Sequence, residues 1–331
     1  MTATSQLDNA QRESNENFFV GIDVAKDELV VHVLPTNQQL TVPNSLKGIK
    51  ELLKLFKEIQ PKQIVLEATG GLERELVIHI AANGFEVVNL NPRRARDLAK
   101  GLGQLAKTDA VDARMLATFA QLQCLKARPV PSRETQEMSD LVTRRQQLVE
   151  MKTMETNRSH WTKQKYITKS IEKNIDALEK QIADIDERIT KMIDDNPAWS
   201  AKDKILQSVP GVGPKTSQML ISALPELGTL NRQEIAALAG VAPFCDDSAT
   251  KSGARHIRGG RANVRSALYM ATFSAVRHNP TFKEFFDRLI AAGKKYKVAI
   301  VAAMRKLIST LNSMIKTKTL WNEHRVRSEN F

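Results

Sequence analysis

Four carboxylates occupy positions where an acid has chemical use. Asp23 lies inside the apolar, β-branched run Phe18-Phe19-Val20-Gly21-Ile22-Asp23-Val24, and Glu67 ends the run Gln63-Ile64-Val65-Leu66-Glu67. Asp109 and Asp112 follow in Lys107-Thr108-Asp109-Ala110-Val111-Asp112-Ala113, three residues apart and so on one face of a helix. Each has a plain reading by itself: a turn-starting Asp23, a helix-capping Glu67, a helix-start Asp109 and a solvated Asp112. Together, two strand acids and a helical acidic pair are harder to set aside. An acid within an apolar strand is costly unless something compensates it. Magnesium is such a compensation, because it takes oxygen ligands and bridges carboxylates to a substrate phosphate. Two ions can clamp an in-line displacement at phosphorus. Manganese suits the same oxygen donors.

A second group of residues offers phosphate contacts. Between 93 and 107 stand Arg93, Arg94, Arg96, Lys100 and Lys107 against one acid, Asp97. Val209-Pro210-Gly211-Val212-Gly213-Pro214-Lys215-Thr216 has the form of a helix-hairpin-helix. There Gly211 and Gly213 allow a tight turn, and backbone N–H groups at a helix start, with Lys215, can meet a phosphate. Residues 251–265 carry Lys251, Arg255, Arg258, Arg261 and Arg265, five basic residues with no acid, interleaved with glycines. Such a segment suits close backbone approach and bidentate phosphate contacts. A serine in or beside it, Ser248 or Ser252, is a candidate phosphoryl-transfer nucleophile. Lys294, Lys295, Lys297, Arg305 and Lys306 extend the basic surface.

The elements that must position these groups are legible from the chain. Strands are expected at Phe18–Val24, Leu29–Leu34, Gln39–Val42, Gln63–Glu67 and Phe85–Leu90. Helices are expected at Leu46–Ile59, Leu72–Ala82 and Asp109–Leu122. Strands first, then strand alternating with helix, imply a mixed α/β sheet covered by helices. Arg128-Pro129-Val130-Pro131 is a stiff break. Beyond it Ile171, Ile175, Leu178, Ile182, Ile185, Ile189 and Met192 form a heptad seam, with a weaker stripe at Met138, Leu141, Leu148 and Met151. The two pair either as an antiparallel hairpin or across a dimer. Residues 201–240 read as compact and helical, and three helices follow residue 261. Residues 1–16 are a polar, disordered lead, and the chain from Trp321 onward is a frayed tail.

Composition sets the outer limits. The 331 residues carry 49 Lys and Arg against 37 Asp and Glu, a net charge of +12, which favours a polyanionic partner. The two cysteines, Cys124 and Cys245, lack ligand-spaced companions, so neither a disulfide framework nor a thiolate zinc site is expected. The N-terminus lacks a signal-peptide core, and no uninterrupted apolar stretch of membrane-spanning length occurs. No membrane partner is expected, and a cytoplasmic setting fits.

The order of strand Asp, strand-end Glu and helical Asp-x-x-Asp resembles the RuvC-like branch of the ribonuclease H fold. Four local words narrow the likeness: GIDVAK from 21, LEATGG from 66, NPRRARDLAKGLGQLAKTDAVDA from 91 and GRANVRSALYMA from 260. They resemble the DEDD-type transposases of bacterial insertion sequences, a family with Piv-like DNA invertases and some bridge-RNA-guided serine recombinases. The likeness runs over about residues 17–318. It implies an α/β plus α architecture: a RuvC-like domain at 17–126, a helical coiled-coil spacer at 127–200, and a mostly helical transposase domain at 201–318 before a tail at 319–331. It implies that Asp23, Glu67, Asp109 and Asp112 bind Mg²⁺ (or Mn²⁺) and that Ser248 is the nucleophile. At that point the sequence departs from many members in having Ala249, not glycine, after the serine. It further implies a double-stranded DNA substrate, a structured guide RNA, a dimer or dimer of dimers, and a bacterial nucleoid-associated location. An invertase working without RNA and a Holliday-junction-type endonuclease using only the four acids are the alternatives.

Overall fold

The computed structural model describes residues 17–103, 108–123, 125, 127, 130–245, 253 and 255–322. The chain separates into two compact units, Met1–Val130 and Pro131–Phe331.

In the first unit a five-stranded sheet has the order β3-β2-β1-β4-β5. Its strands are β1 Phe19–Val24, β2 Glu28–Leu34, β3 Gln38–Pro43, β4 Gln63–Glu67 and β5 Val87–Leu90. The connections from β1 to β2 and from β2 to β3 are three residues long, so these strands pair antiparallel. Helices α1 (Leu46–Ile59) and α2 (Arg74–Ala82) provide the longer crossovers that β4 and β5 need to run parallel to β1. Val20, Ile22 and Val24 face one side and pack with Ile49, Leu52 and Phe56 of α1 and Leu76 and Ile80 of α2. Phe19, Val65, Val88 and Leu90 face the other, where Leu116, Phe119 and Ala120 of a later helix cover them. This strand order, parallel and antiparallel in the same sheet, is the expected ribonuclease-H-type arrangement.

Three local departures have physical causes. Helix α2 begins at Arg74 rather than Leu72, because Gly70 and Gly71 adopt positive φ and carry a turn first. Strand β5 starts at Val87 rather than Phe85; the Phe85 N–H closes α2 on Ile80 O, and its ring packs edge-on against Phe56. The basic stretch after Asn91 forms a helix the hydrophobic pattern does not announce, α3 (Pro92–Gly101). Asn91 caps it by accepting from Arg93 N, and Pro92 sits at the first turn. None of its residues is fully buried, and its core-facing side is short, with Ala95 and Leu98 packed on the sheet among arginines and lysines, so the basic charge masks the pattern. Helix α4 (Asp109–Leu122) follows, capped by Thr108, which accepts from Val111 N.

The second unit is helical. Helices α5 (Arg133–Trp161) and α6 (Lys165–Asp195) form an antiparallel hairpin within one chain, so the heptad seam closes intramolecularly. Ion pairs Arg145–Asp186 and Lys152–Glu179 fix its register. The hairpin base, with Met138, Val142, Ile189 and Ile193, merges into a core shared with α7 (Pro197–Gln207), α8 (Pro214–Ala223), α9 (Arg232–Leu238), α10 (Ala262–His278), α11 (Pro280–Ala291) and α12 (Tyr296–Thr317). Helix α12 is long and apolar enough to cross a membrane, but Ile300, Ala303, Met304, Leu307 and Leu311 are buried in this core. Trp321, expected in a frayed tail, is held: its ring stacks on Phe282 and its backbone N–H donates to Ser208 Oγ at 2.9 Å.

Candidate nuclease site and nucleic-acid interface

Strand register decides where the first two acids go. Gly21 pairs with Val65 and Ile22 with Leu66 in the parallel β1–β4 ladder, so Asp23 and Glu67 continue the same register at the ends of adjacent strands. Asp23 is two residues from Gly21, and Glu67 two from Val65, so both share the α4-facing side of the sheet. Helix α4 runs antiparallel to β1 over that side. Phe19 packs with Leu116, Phe119 and Ala120, while Gly21, further along the strand, touches Ala113 and Ala117. The next step along β1 is Asp23, and the next turn back along α4 holds Asp112 and Asp109. All four acids therefore collect at one edge of the unit. Asp23, Glu67 and Asp112 are half-buried, and Asp109 is exposed.

Gly21 makes this approach possible. A Cβ there would lie 2.0 Å from Ala113 O and 2.3 Å from Ala117 N, so the absence of a side chain lets the α4 backbone rest on β1. Beyond Glu67 the chain turns through Thr69, Gly70 and Gly71, and a fifth carboxylate holds that turn. Glu73 is 6% exposed. Its Oε2 accepts from Thr69 N at 3.2 Å, Thr69 Oγ1 at 2.8 Å and Gly71 N at 2.9 Å, and its Oε1 accepts from Asn89 Nδ2 at 3.2 Å. Burial alone raises a carboxyl pKa, but these donors outweigh it and hold Glu73 below the usual range. Sequence reasoning passed over Glu73; the signal was a threonine four residues before an acid across two glycines. His32, which pairs with Gly21 across β1–β2, is also buried on the α4 side. Burial, with Arg114 nearby, keeps the ring below the usual imidazole pKa against the opposing influence of the Asn37 side chain.

The expected phosphate contacts fall into two kinds. Arg93 and Arg96 are exposed on α3, while Arg94 lies over the Phe119 ring at 5.6 Å. Arg255 is exposed, and Arg258 lies over Phe244 at 5.2 Å. Others are engaged inside the protein. Arg261 Nη1 and Nη2 donate to the Glu226 carboxylate at 2.6 and 2.7 Å, and Nη1 also reaches Ala223 O. Lys215 pairs with Asp186 at 2.5 Å, which also takes Arg145; the two cations hold that carboxyl low against its burial. Arg265 Nη1 donates to Gly259 O. Lys306 lies 4.7 Å from the Phe285 ring, and burial lowers its pKa. Gly211, at φ 106°, packs against α10, where a Cβ would come within 2.6 Å of Ala275 Cα; Gly213 is open and begins α8.

A two-stranded ribbon, β6 (Pro243–Phe244) with β7 (His256–Ile257), pairs the residues on either side of the segment carrying the candidate serines. Ser248, Ser252, Lys251 and, in the first unit, Lys107 lie outside the described residues.

A family model for DEDD-type IS110 transposases matches residues 20–166. A second, described as transposase of the IS116/IS110/IS902 family, matches residues 203–287. The chain belongs to the IS110 family of transposases. The pilin gene-inverting proteins of Moraxella bovis and Moraxella lacunata are each 26% identical over 312 residues, covering 90% of this chain and 95% of theirs. An uncharacterized 43.6 kDa protein of insertion element IS110 from Streptomyces coelicolor is 26% identical over 158 residues, covering 47% of this chain and 38% of its own. RuvC of T. thermophilus, solved with a Holliday junction substrate, aligns over 34% of this chain and all of its own at 13% identity, with a TM-score of 0.26. As an IS110-family transposase the protein is an enzyme that cleaves and recombines DNA.

Enzymes of this DEDD, RuvC-like type use divalent metals. Among the described residues no three Asp, Glu, His or Cys side chains converge into a ready metal cage. The donor chemistry nonetheless fits: the carboxylates toward the C-terminal ends of the neighbouring central strands β1 and β4 and at the start of α4 offer the hard oxygens such an ion takes. Magnesium is commonly held by one or two carboxylates with waters and substrate phosphate completing the shell, so a preformed cage is unnecessary.

Proposed function

We propose that this IS110-family chain cuts and rejoins double-stranded DNA at the ends of its insertion element, using Asp23, Glu67, Asp109 and Asp112 as magnesium ligands and Ser248 as nucleophile. The observation that carries the reading is the β1–β4 register with α4 laid across Gly21, which gathers all four acids at one edge. When bound, the metal supplies charge neutralisation at the phosphate. The carboxylates fix where the phosphate sits. Ser248 Oγ forms a bond to phosphorus and the P–O3′ bond breaks; the Oγ proton passes to the leaving O3′, giving a 3′-hydroxyl and a 5′-phosphoserine link. Rejoining reverses this: a 3′-hydroxyl attacks, P–Oγ breaks, and the serine regains its proton. The link conserves the bond energy.

The finer parts of the proposal are a structured RNA guide from the element, a dimer or dimer of dimers, a three-part chain (17–126, 127–200, 201–318), and work in the cytoplasm on nucleoid DNA. Exposed Arg93, Arg96, Arg255 and Arg258 are its phosphate contacts. The test is incubation with Mg²⁺ and element-end DNA, with and without flank-encoded RNA, followed by mass spectrometry of the peptide spanning 242–255. A nucleotide on Ser248, absent without metal and in Asp23→Ala, supports the serine reaction. Cleaved DNA with no adduct replaces it with a water-activating nuclease. Equal reaction without RNA removes the guide.

A further inference from the structure

The far end of the α5–α6 hairpin has no part in the chemistry described so far. Its register is set by Arg145–Asp186 and Lys152–Glu179, which places Trp161 and Tyr166 at the turn. At about 1.5 Å per residue, the turn lies about 24 Å beyond the Arg145–Asp186 pair along α5 and about 31 Å along α6. Trp161 is 88% exposed and Tyr166 86%. Ile167 is exposed next to Tyr166, and Met154 and Met151 are exposed further back along α5. Large aromatics this bare on a helical turn stabilise nothing within the chain. The surrounding charge is one-sided: residues 156–171 contain Arg158, Lys163, Lys165 and Lys169 and no acid. Arg158 reaches back to Glu155, leaving the three lysines around the turn itself.

We propose that this tip binds DNA with unpaired bases, Trp161 and Tyr166 stacking on bases while Lys163, Lys165 and Lys169 meet the phosphates. Flat side chains within a cationic patch are what a single strand needs, because every base has a stacking face and every linkage a charge. Paired bases in a duplex are already stacked and offer the aromatics nothing. A second copy of the chain fits less well: two such tips would oppose like charges, and Arg158 breaks the apolar row Met151, Met154, Trp161. The inference rests on the proposed cutting and rejoining of DNA, which passes through strands out of their duplex.

The experiment uses the full chain. Fluorescence anisotropy is measured with labelled oligo-dT, an abasic oligomer of equal length, the same sequence in RNA, and a blunt duplex. Trp161→Ala and Tyr166→Ala are each expected to weaken oligo-dT binding about tenfold, and the pair about a hundredfold, with duplex binding and melting temperature unchanged. Oligo-dT should bind more tightly than the abasic oligomer. Unchanged oligo-dT affinity in the double variant overturns the proposal, as does equal binding of the abasic oligomer. Loss confined to RNA also overturns it. So does a change of mass in light scattering with DNA affinity intact, which would make the tip a contact between copies. Metal-dependent cleavage by the unaltered protein is measured alongside. Its absence sinks the proposed reaction but leaves the binding result standing.

Discussion

Charged residues that look alike in sequence are put to different uses in the two units. In the sheet unit, four acids are carried to an edge by backbone register and one close helix approach, and the arginines Arg93 and Arg96 stand exposed on a helix with no buried residue. In the helical unit, several residues of the same appearance in sequence are engaged by carboxylates: half-buried Arg261 grips Glu226, and Arg145 and the more exposed Lys215 share Asp186. A basic motif therefore gives net charge but not its destination. An arginine whose fork is filled by a carboxylate stabilises the fold, and one on a bare helix is available to phosphate.

The sharpest way to break this contrast is at the acids. Asp23→Asn is expected to lower DNA cleavage by at least about a hundredfold while circular dichroism and melting stay near those of the parent. Full activity would remove the edge from the chemistry. Arg261→Met should cost about 2 kcal/mol in urea unfolding, because it removes both guanidinium bonds to the half-buried Glu226 carboxylate; an unchanged midpoint with weaker DNA binding would return Arg261 to the interface.

Glu73 allows a polarity swap. Glu73→Gln should cost about 2 kcal/mol by setting its amide against that of Asn89, and adding Asn89→Asp should recover most of the loss, because the amide then has an acceptor. A double variant no better than the single one would show that Asn89 is incidental.

A smaller effect is expected at α3. Arg93→Ala and Arg96→Ala should each weaken DNA binding without regard to sequence and reduce the slope of log affinity against log salt by about 1. The smallest concerns His32. Burial depresses its folded pKa, so the unfolded chain takes the proton first as pH falls, and stability declines below about pH 6.5. His32→Leu should flatten that decline between roughly pH 6.5 and 5, above the range in which Glu73 and Asp186 titrate; an unaltered pH profile would show that His32 does not contribute.

Most of the sheet was legible because period-two apolar runs bounded by turns have few other solutions. Gln63–Glu67 and Asp109–Leu122 came out at the expected limits. Helix α3 did not, since its core-facing side is only Ala95 and Leu98, a short apolar stripe within a run of arginines and lysines. The four acids were legible as types and spacings, and so was the family they resemble. Their placement on one side of the unit was not, because Asp23, Glu67 and Asp112 are separated by dozens of residues and are brought to the same side only through strand pairing and the approach at Gly21.

The sequence by itself determined the chemical inventory: the acids, the excess of cations, the serine-bearing loop and the order of strands and helices. Tertiary structure alone decided which glycine admits a helix, which carboxylate organises a turn instead of facing the edge, and which cations are consumed within the protein. The reason is physical. Composition and periodicity are local, whereas register, close backbone approach and ion pairing depend on residues far apart in the chain that only packing brings together.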